Sequence, residues 1–137
     1  VILCLKLIDH YQQLETIPEL IGLLHHREAR VQETAIRVLG KLEAEPAEAD
    51  LYAMFPHSSL EVQEAILKAL GRIASGNYLE FLTAQAGAED YRIRMGAMQS
   101  IREHGRKGAE LLKSLFEQAT LQNRELINHV FDTRIKV

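Results

Sequence analysis

The chain has 137 residues, a formal net charge of −3, and 47% hydrophobic and 26% charged residues. This length and composition are typical of one globular domain with a core, and they exclude a disordered chain. The single cysteine, Cys4, excludes an intrachain disulfide and a zinc site built from several cysteines, and it favours a cytoplasmic location, where thiols stay reduced.

The first apolar stretch, at positions 1–8, is too short to cross a membrane, which takes about 20 apolar residues. It also lacks the basic segment and the cleavage site of a secretory signal. Its apolar spacing matches a pattern that recurs further along the chain, so we predict a half repeat over 1–13. Because the sequence starts inside this pattern and without Met, we expect the chain to be a piece of a longer protein.

Two helices are predicted next, separated by a turn at His25 and His26. The first begins at a capping box that runs from Thr16 to Glu19, with Pro18 in its first turn. Apolar residues recur at helical spacing along one face of each helix. They are Leu20, Leu23 and Leu24 in the first helix and Val31, Ala35, Val38, Leu39 and Leu42 in the second.

This helix pair returns along the chain. Residues 31–42 (VQETAIRVLGKL) are echoed 31 residues later at 62–73 (VQEAILKALGRI), and more loosely again from Ile93. An internal period of this length indicates helix pairs that stack around one continuous core. The apolar positions of the later copies are Val62, Ile66, Ala69, Leu70 and Ile73, and then Ile93, Ala97, Ser100 and Ile101. We therefore predict about nine helices in a single domain over 1–137, in which the half repeat is followed by repeats at 14–44, 45–75, 76–106 and 107–137.

Local signals predict where the helices begin and end. Pro56 should end the helix that precedes it. Ser58 and Glu61 form a capping box for the next helix. The stretch from Gly105 to Gly108 is typical of a turn. The residues three positions before each repeated Val or Ile are candidate N-caps, and they are Glu28, Ser59 and Asp90.

The pattern Val-x-x-x-Ala/Ile-x-x-x-Leu-Gly-x-Leu/Ile, within a helix pair of about 31 residues, resembles HEAT repeats, and bacterial short repeats of the phycobilisome-lyase-like type most of all. Residues 31–42 and 62–73 carry the resemblance best, whereas the third copy departs from it at Arg102, where the others have glycine. The resemblance implies an all-α, right-handed α-solenoid of antiparallel helix pairs. It also implies a non-enzymatic scaffold or protein–protein interaction module, in which the second helices of the pairs line the concave face.

A candidate partner surface follows from projecting the second helices at 100° per residue. Positions 33, 37 and 40 then lie opposite the buried face, together with their equivalents in the later repeats. From these positions we predict a surface, here called the predicted surface, that consists of Glu33, Arg37, Glu64, Lys68, Met95, Gln99 and Arg102. Glu followed by Arg or Lys four residues later stabilises a helix by about 0.2–0.5 kcal/mol, which explains the first two repeats without a partner. Met95 is better suited to an adaptable contact, because its thioether is flexible and polarisable.

Two alternatives from other classes stay open. The resemblance implies a bilin or cofactor lyase, although no residue set for that reaction stands out, and Cys4 on a predicted buried face would be a poor nucleophile. A nucleic-acid binder is the second alternative, because basic residues cluster towards the C-terminal half. They are Arg92, Arg94, Arg102, Arg106 and Lys107. Charges at helix ends explain this cluster more simply, so a nucleic-acid partner is not expected.

Metal and catalytic chemistry are not expected either. His26 and His57 stand in equivalent turns, which stacked helix pairs would place about 10 Å apart. That separation is too large for one zinc ion, whose bonds to histidine are about 2.0–2.1 Å. Some HEAT-like hydroxylases bind iron through His-Glu dipeptides, and this sequence has none. It also has no glycine-rich phosphate loop, nucleophile elbow or HExxH pattern, so we expect no enzymatic activity and no cofactor.

Overall fold

The computed structural model describes residues 16–118 and 128–130. Residues 16–118 contain seven α-helices and two short 3-10 helices, and residues 128–130 are helical as well. No strand occurs in these ranges, which confirms the predicted all-α class. The α-helices are α1 (Ile17–Leu23), α2 (Ala29–Lys41), α3 (Glu48–Met54), α4 (Leu60–Ile73), α5 (Leu79–Gln85), α6 (Tyr91–Arg102) and α7 (Gly105–Gln118). The predicted half repeat over 1–13 lies outside the described residues, as does most of the last predicted helix, of which residues 128–130 are helical.

The second helices of the predicted pairs form a row. Helix α4 packs extensively against α2 on one side and against α6 on the other. Helices α1 and α5 pack against α2 and α6, their partners in the predicted pairs, and α7 packs against α6. This row α2–α4–α6 is the framework on which the candidate site is built.

Periodic apolar residues form the core, as the sequence predicts. Every predicted apolar position of α2, α4 and α6 is buried, except Leu42 and Ile73, which are partly exposed at the helix ends. Ile36, Leu67 and Met98, spaced 31 residues apart, are buried as well and extend the predicted set. Burying a side chain of this size contributes about 1.5–3 kcal/mol, so each repeated position makes a substantial contribution to stability.

The predicted N-caps of the second helices are confirmed. Glu28, Ser59 and Asp90 are the N-cap residues of α2, α4 and α6. The Ser59 hydroxyl accepts a hydrogen bond from the Val62 N–H, and the Asp90 carboxylate accepts one from the Arg92 N–H at 2.8 Å. Each bond satisfies one of the backbone donors that a helix leaves free at its start.

Two other boundary predictions need correction. Ser58 does not form a capping box, because its hydroxyl donates to the Met54 carbonyl at 2.7 Å and helix α4 begins one residue later than that box requires. The stretch from Gly105 to Gly108 is not a turn. Gly105 has a positive φ of 70° and starts α7, whereas Gly108 lies inside that helix, so close to the Ile101 carbonyl that no side chain would fit.

A repeated hydrogen bond connects the second helix to the end of the first helix in two of the pairs. The side-chain amide of Gln32 donates to the Leu24 carbonyl at 3.0 Å, and that of Gln63 donates to the Phe55 carbonyl at 2.9 Å. Donors and acceptors are both related by 31 residues. Arg94 stands 31 residues after Gln63, and its guanidinium donates to carbonyls of the loop that follows α5. The period therefore applies to specific polar contacts as well as to the apolar core.

A repeated glycine contact sets the spacing within the row. A Cβ on Gly40 would lie 3.1 Å from the Cα of Ala69, and one on Gly71 would lie 2.9 Å from the Cα of Ser100. The two contacts are again related by 31 residues. The projection of position 40 onto the exposed face is therefore wrong for both glycines, which are buried where adjacent second helices approach each other most closely.

Candidate functional site

A cavity of about 740 Å³ lies along α4 and α6 and is lined by side chains of these two helices and by Glu103. Five members of the predicted surface line it, namely Glu64, Lys68, Met95, Gln99 and Arg102. Glu33 and Arg37, on α2, do not. The exposed side chains of Lys68 and Gln99 show that the cavity is open to solvent. The structure thus brings the second- and third-repeat members together and leaves the first-repeat members apart.

An ion pair crosses the cavity. The carboxylate of Glu64 on α4 pairs with the guanidinium of Arg92 on α6. The expected partner of Glu64, Lys68 on the same helix, is not used. Both members of the observed pair are substantially exposed, so its contribution to stability is at most about 1 kcal/mol. Its main consequence is that Glu64 no longer offsets the charge of Lys68.

Lys68 and Arg72 are two neighbouring cations in the wall of the cavity. Both are exposed, and among the described residues neither has an ion-pair partner. They stand four residues apart on α4, an arrangement of like charges that destabilises a helix by about 0.2–0.5 kcal/mol. The Cδ of Arg72 lies 3.5 Å from the position that a Cβ on Gly40 would take, at the contact between α2 and α4. The structure therefore holds two adjacent cations at the cavity without neutralising them.

The apolar part of the cavity comes from α6. Met95 is half-buried and packs against the core, whereas Tyr91, one turn earlier, is among the most exposed large hydrophobic residues of the described chain, at 56%. The Arg94 guanidinium lies 6.0 Å from the centroid of the Tyr91 ring, which is within the range of a weak cation–π contact. An adaptable thioether and an aromatic ring thus stand opposite the cations of α4.

Arg102 has an intramolecular role that the sequence does not reveal. Its guanidinium donates to the Val130 carbonyl at 3.1 Å and also contacts the Glu103 carboxylate at 3.4 Å. Only 20% of its side chain is exposed. Because Arg102 occupies the position of Gly40 and Gly71 in the earlier repeats, the close helix approach is replaced here by a side-chain bond to residue 130.

Intramolecular contacts engage part of the predicted basic cluster. Arg92 pairs with Glu64, Arg94 binds loop carbonyls, and Arg102 binds the Val130 carbonyl. Arg106 and Lys107 remain exposed on α7. Three of the five cations are thus engaged by the folded chain, and the cluster does not present five free charges to a phosphate backbone.

Among residues 16–118 and 128–130, no group of three or more His, Cys, Asp or Glu side chains is placed to hold a metal ion. His26 accepts a hydrogen bond from the Glu28 N–H at 3.1 Å through Nδ1, and His25 and His57 are exposed. No helix in the described part of the chain is long and apolar enough to cross a membrane.

Seven residues of the cavity lining are absent from the predicted surface, and three of them, Arg72, Tyr91 and Arg92, supply two of its cations and its aromatic ring. Helical spacing could have identified Arg72 and Tyr91, because Arg72 follows Lys68 by four residues and Tyr91 precedes Met95 by four. Arg92 gives no such signal, since its role depends on Glu64 of a neighbouring helix.

No protein-family model matches the chain, and no curated protein matches its sequence. The resemblance to HEAT repeats stays a prediction that depends on the 31-residue period. The repeated glutamine and glycine contacts give that period a physical basis.

Proposed function

We propose that this chain is a non-enzymatic protein-binding module that holds a segment of its partner in the cavity along α4 and α6. The observation that carries the proposal is the convergence of five predicted residues on one open cavity. At about 740 Å³ its volume lies within the range of about 300–1,000 Å³ that is usual for ligand sites. Tyr, Met and Arg are enriched at protein interfaces, and Tyr91, Met95 and Arg72 supply them here.

The proposed architecture is a right-handed, HEAT-like α-solenoid of antiparallel helix pairs. Two connections between helices that pack together support the antiparallel pairing, because each spans only five residues (24–28 and 86–90). The row α2–α4–α6 supports the stacking of the pairs. We propose a single domain over 1–137 with the repeat boundaries given above, acting as a scaffold in the cytoplasm.

A pull-down experiment tests the proposal. The cavity variant combines Lys68→Ala, Tyr91→Ala and Gln99→Ala, all at exposed positions, so the fold should keep its melting temperature. Met95 and Arg102 are left unchanged because they contact the folded chain. A matched control replaces Arg27 and Arg30, which are exposed and lie away from the cavity, by alanine.

The expected result is a protein that the wild type and the control retain from an extract of the source cells and that the cavity variant loses. Equal retention by all three proteins would place binding elsewhere and contradict the proposal. Melting temperatures of the three proteins, measured alongside, separate a lost contact from a lost fold.

A further inference from the structure

We infer that the segment bound in this cavity is acidic, with two carboxylates that pair with Lys68 and Arg72 and an apolar side chain that packs on Tyr91 and Met95. This inference rests on the proposed function and adds the chemistry of the partner. The proposed occupant is a peptide segment of a protein, and the experiment below distinguishes it from a nucleic acid.

The charges of the cavity favour an acidic ligand. The acidic residues of the cavity are already engaged, because Glu64 pairs with Arg92 and Glu103 contacts Arg102. The cations of those pairs are neutralised as well. Lys68 and Arg72 are then the cavity charges without an ion-pair partner among the described residues. The net charge that the cavity presents to a ligand is therefore positive, although the whole chain carries −3.

The equivalent positions in the row distinguish this pair of cations. Position 37 on α2 is Arg37 and position 41 is Lys41, and both have contacts of their own within the structure. The same positions in the third repeat are Gln99, on α6, and Glu103, which directly follows that helix, and they carry no such cationic pair. At the α4 position, two adjacent cations without an ion-pair partner among the described residues therefore line the cavity.

The spacing of Lys68 and Arg72 favours a peptide over a nucleic-acid backbone as the ligand. Residues four apart on one helix have Cβ atoms about 5–6 Å apart, a distance that two acidic side chains of one segment can bridge. Binding to nucleic acid depends on several phosphate contacts along the backbone. Here the cations next to the pair are held by Glu64 and Glu103, and those carboxylates would repel a continuous run of phosphates. Met95 and the exposed ring of Tyr91 add an apolar contact that a peptide side chain can fill.

Selection from a display library of random short peptides tests the inference. The full chain serves as bait, together with a charge-reversed variant, Lys68→Glu with Arg72→Glu. A control with Arg27→Glu and Arg30→Glu changes the net charge equally at exposed sites outside the cavity. Enriched peptides are synthesised with their Asp and Glu residues intact and with Asn and Gln in their place. Affinities are measured by fluorescence anisotropy, and a single-stranded oligothymidine is measured at the same ionic strengths.

We expect enrichment of peptides that combine Asp or Glu with an apolar residue. Charge reversal should weaken their binding by about tenfold or more, whereas the control should bind as the wild type does. The Asn/Gln versions should lose affinity similarly, and added salt should weaken the acidic peptides because the pairing cations are exposed.

Three results would overturn the inference. The first is enrichment of peptides without acidic residues that bind the charge-reversed variant but do not bind the Lys68→Ala, Tyr91→Ala and Gln99→Ala variant. This result would refute the acidic partner, but it would still support protein binding in the cavity. Oligothymidine that binds as tightly as the best peptide, and competes with it, would identify a nucleic-acid site. Peptide binding that none of the cavity substitutions affects would refute both this inference and the proposed function.

Discussion

Replacing Gly71 by alanine should destabilise the protein, although alanine is normally the better helix former. The new Cβ would lie 2.9 Å from the Cα of Ser100, whereas ordinary van der Waals contacts of a Cβ begin at 3.4 Å. The new Cβ would also lie 2.8 Å from the Ser100 Oγ. Because the Cα belongs to the backbone, relief requires α4 and α6 to move apart. Overpacking of this kind costs about 2–3 kcal/mol. The gain in helix propensity is about 1 kcal/mol, which leaves a net loss of about 1–2 kcal/mol in the free energy of unfolding.

Two further glycines provide a graded comparison. A Cβ on Gly40 would lie 3.1 Å from the Cα of Ala69, so the overpacking cost should be smaller and nearly offset by propensity. A Cβ on Gly22 would meet no atom within 4 Å, so Gly22→Ala should stabilise the chain by about 0.5–1 kcal/mol. Urea unfolding followed by circular dichroism gives all three free energies. If Gly71→Ala proved as stable as Gly22→Ala, the close approach of the second helices would be refuted.

Three other substitutions test contacts of the same framework by the same unfolding measurement. Gln63→Ala should lower stability by about 0.5–1.5 kcal/mol, because the Phe55 carbonyl loses its side-chain donor, and an unchanged free energy would deny that bond a role. Ser100→Ala should leave stability unchanged or raise it by up to about 1 kcal/mol, because the buried hydroxyl has no hydrogen-bond partner and Ala69 occupies the equivalent position one repeat earlier. A clear loss of stability would show that this hydroxyl does form a hydrogen bond. Arg102→Ala should cost about 1 kcal/mol and speed hydrogen exchange near Val130, and normal exchange there would contradict the bond to that carbonyl.

Much of the framework could be predicted from the sequence because it depends on local rules and on one period. The N-caps at Glu28, Ser59 and Asp90 follow from the fixed distance between a cap and the first buried residue of its helix. The buried faces of α2, α4 and α6 follow from helical spacing alone. Repetition then places similar helices side by side, and five members of the predicted surface line one cavity as a result.

The remaining features depend on which helices are neighbours, and a projection of a single helix does not contain that information. Gly40 projects towards solvent, but the adjacent helix covers it. Glu64 has a suitable partner four residues away, yet it pairs with Arg92 of α6. Gln32 and Gln63 belong to the repeated motif, but their acceptors are backbone carbonyls, which the sequence pattern does not mark.

Site-specific photo-crosslinking tests the proposal that a partner protein binds in the cavity along α4 and α6. A photoreactive amino acid replaces Gln99, an exposed residue of the cavity wall, and in a second protein it replaces Glu80, an exposed residue of α5 that does not line the cavity. With the partner recovered by the wild-type chain, we predict a covalent adduct from position 99 and none from position 80. An adduct from position 80 alone, or from neither position while the partner is bound, would contradict the account.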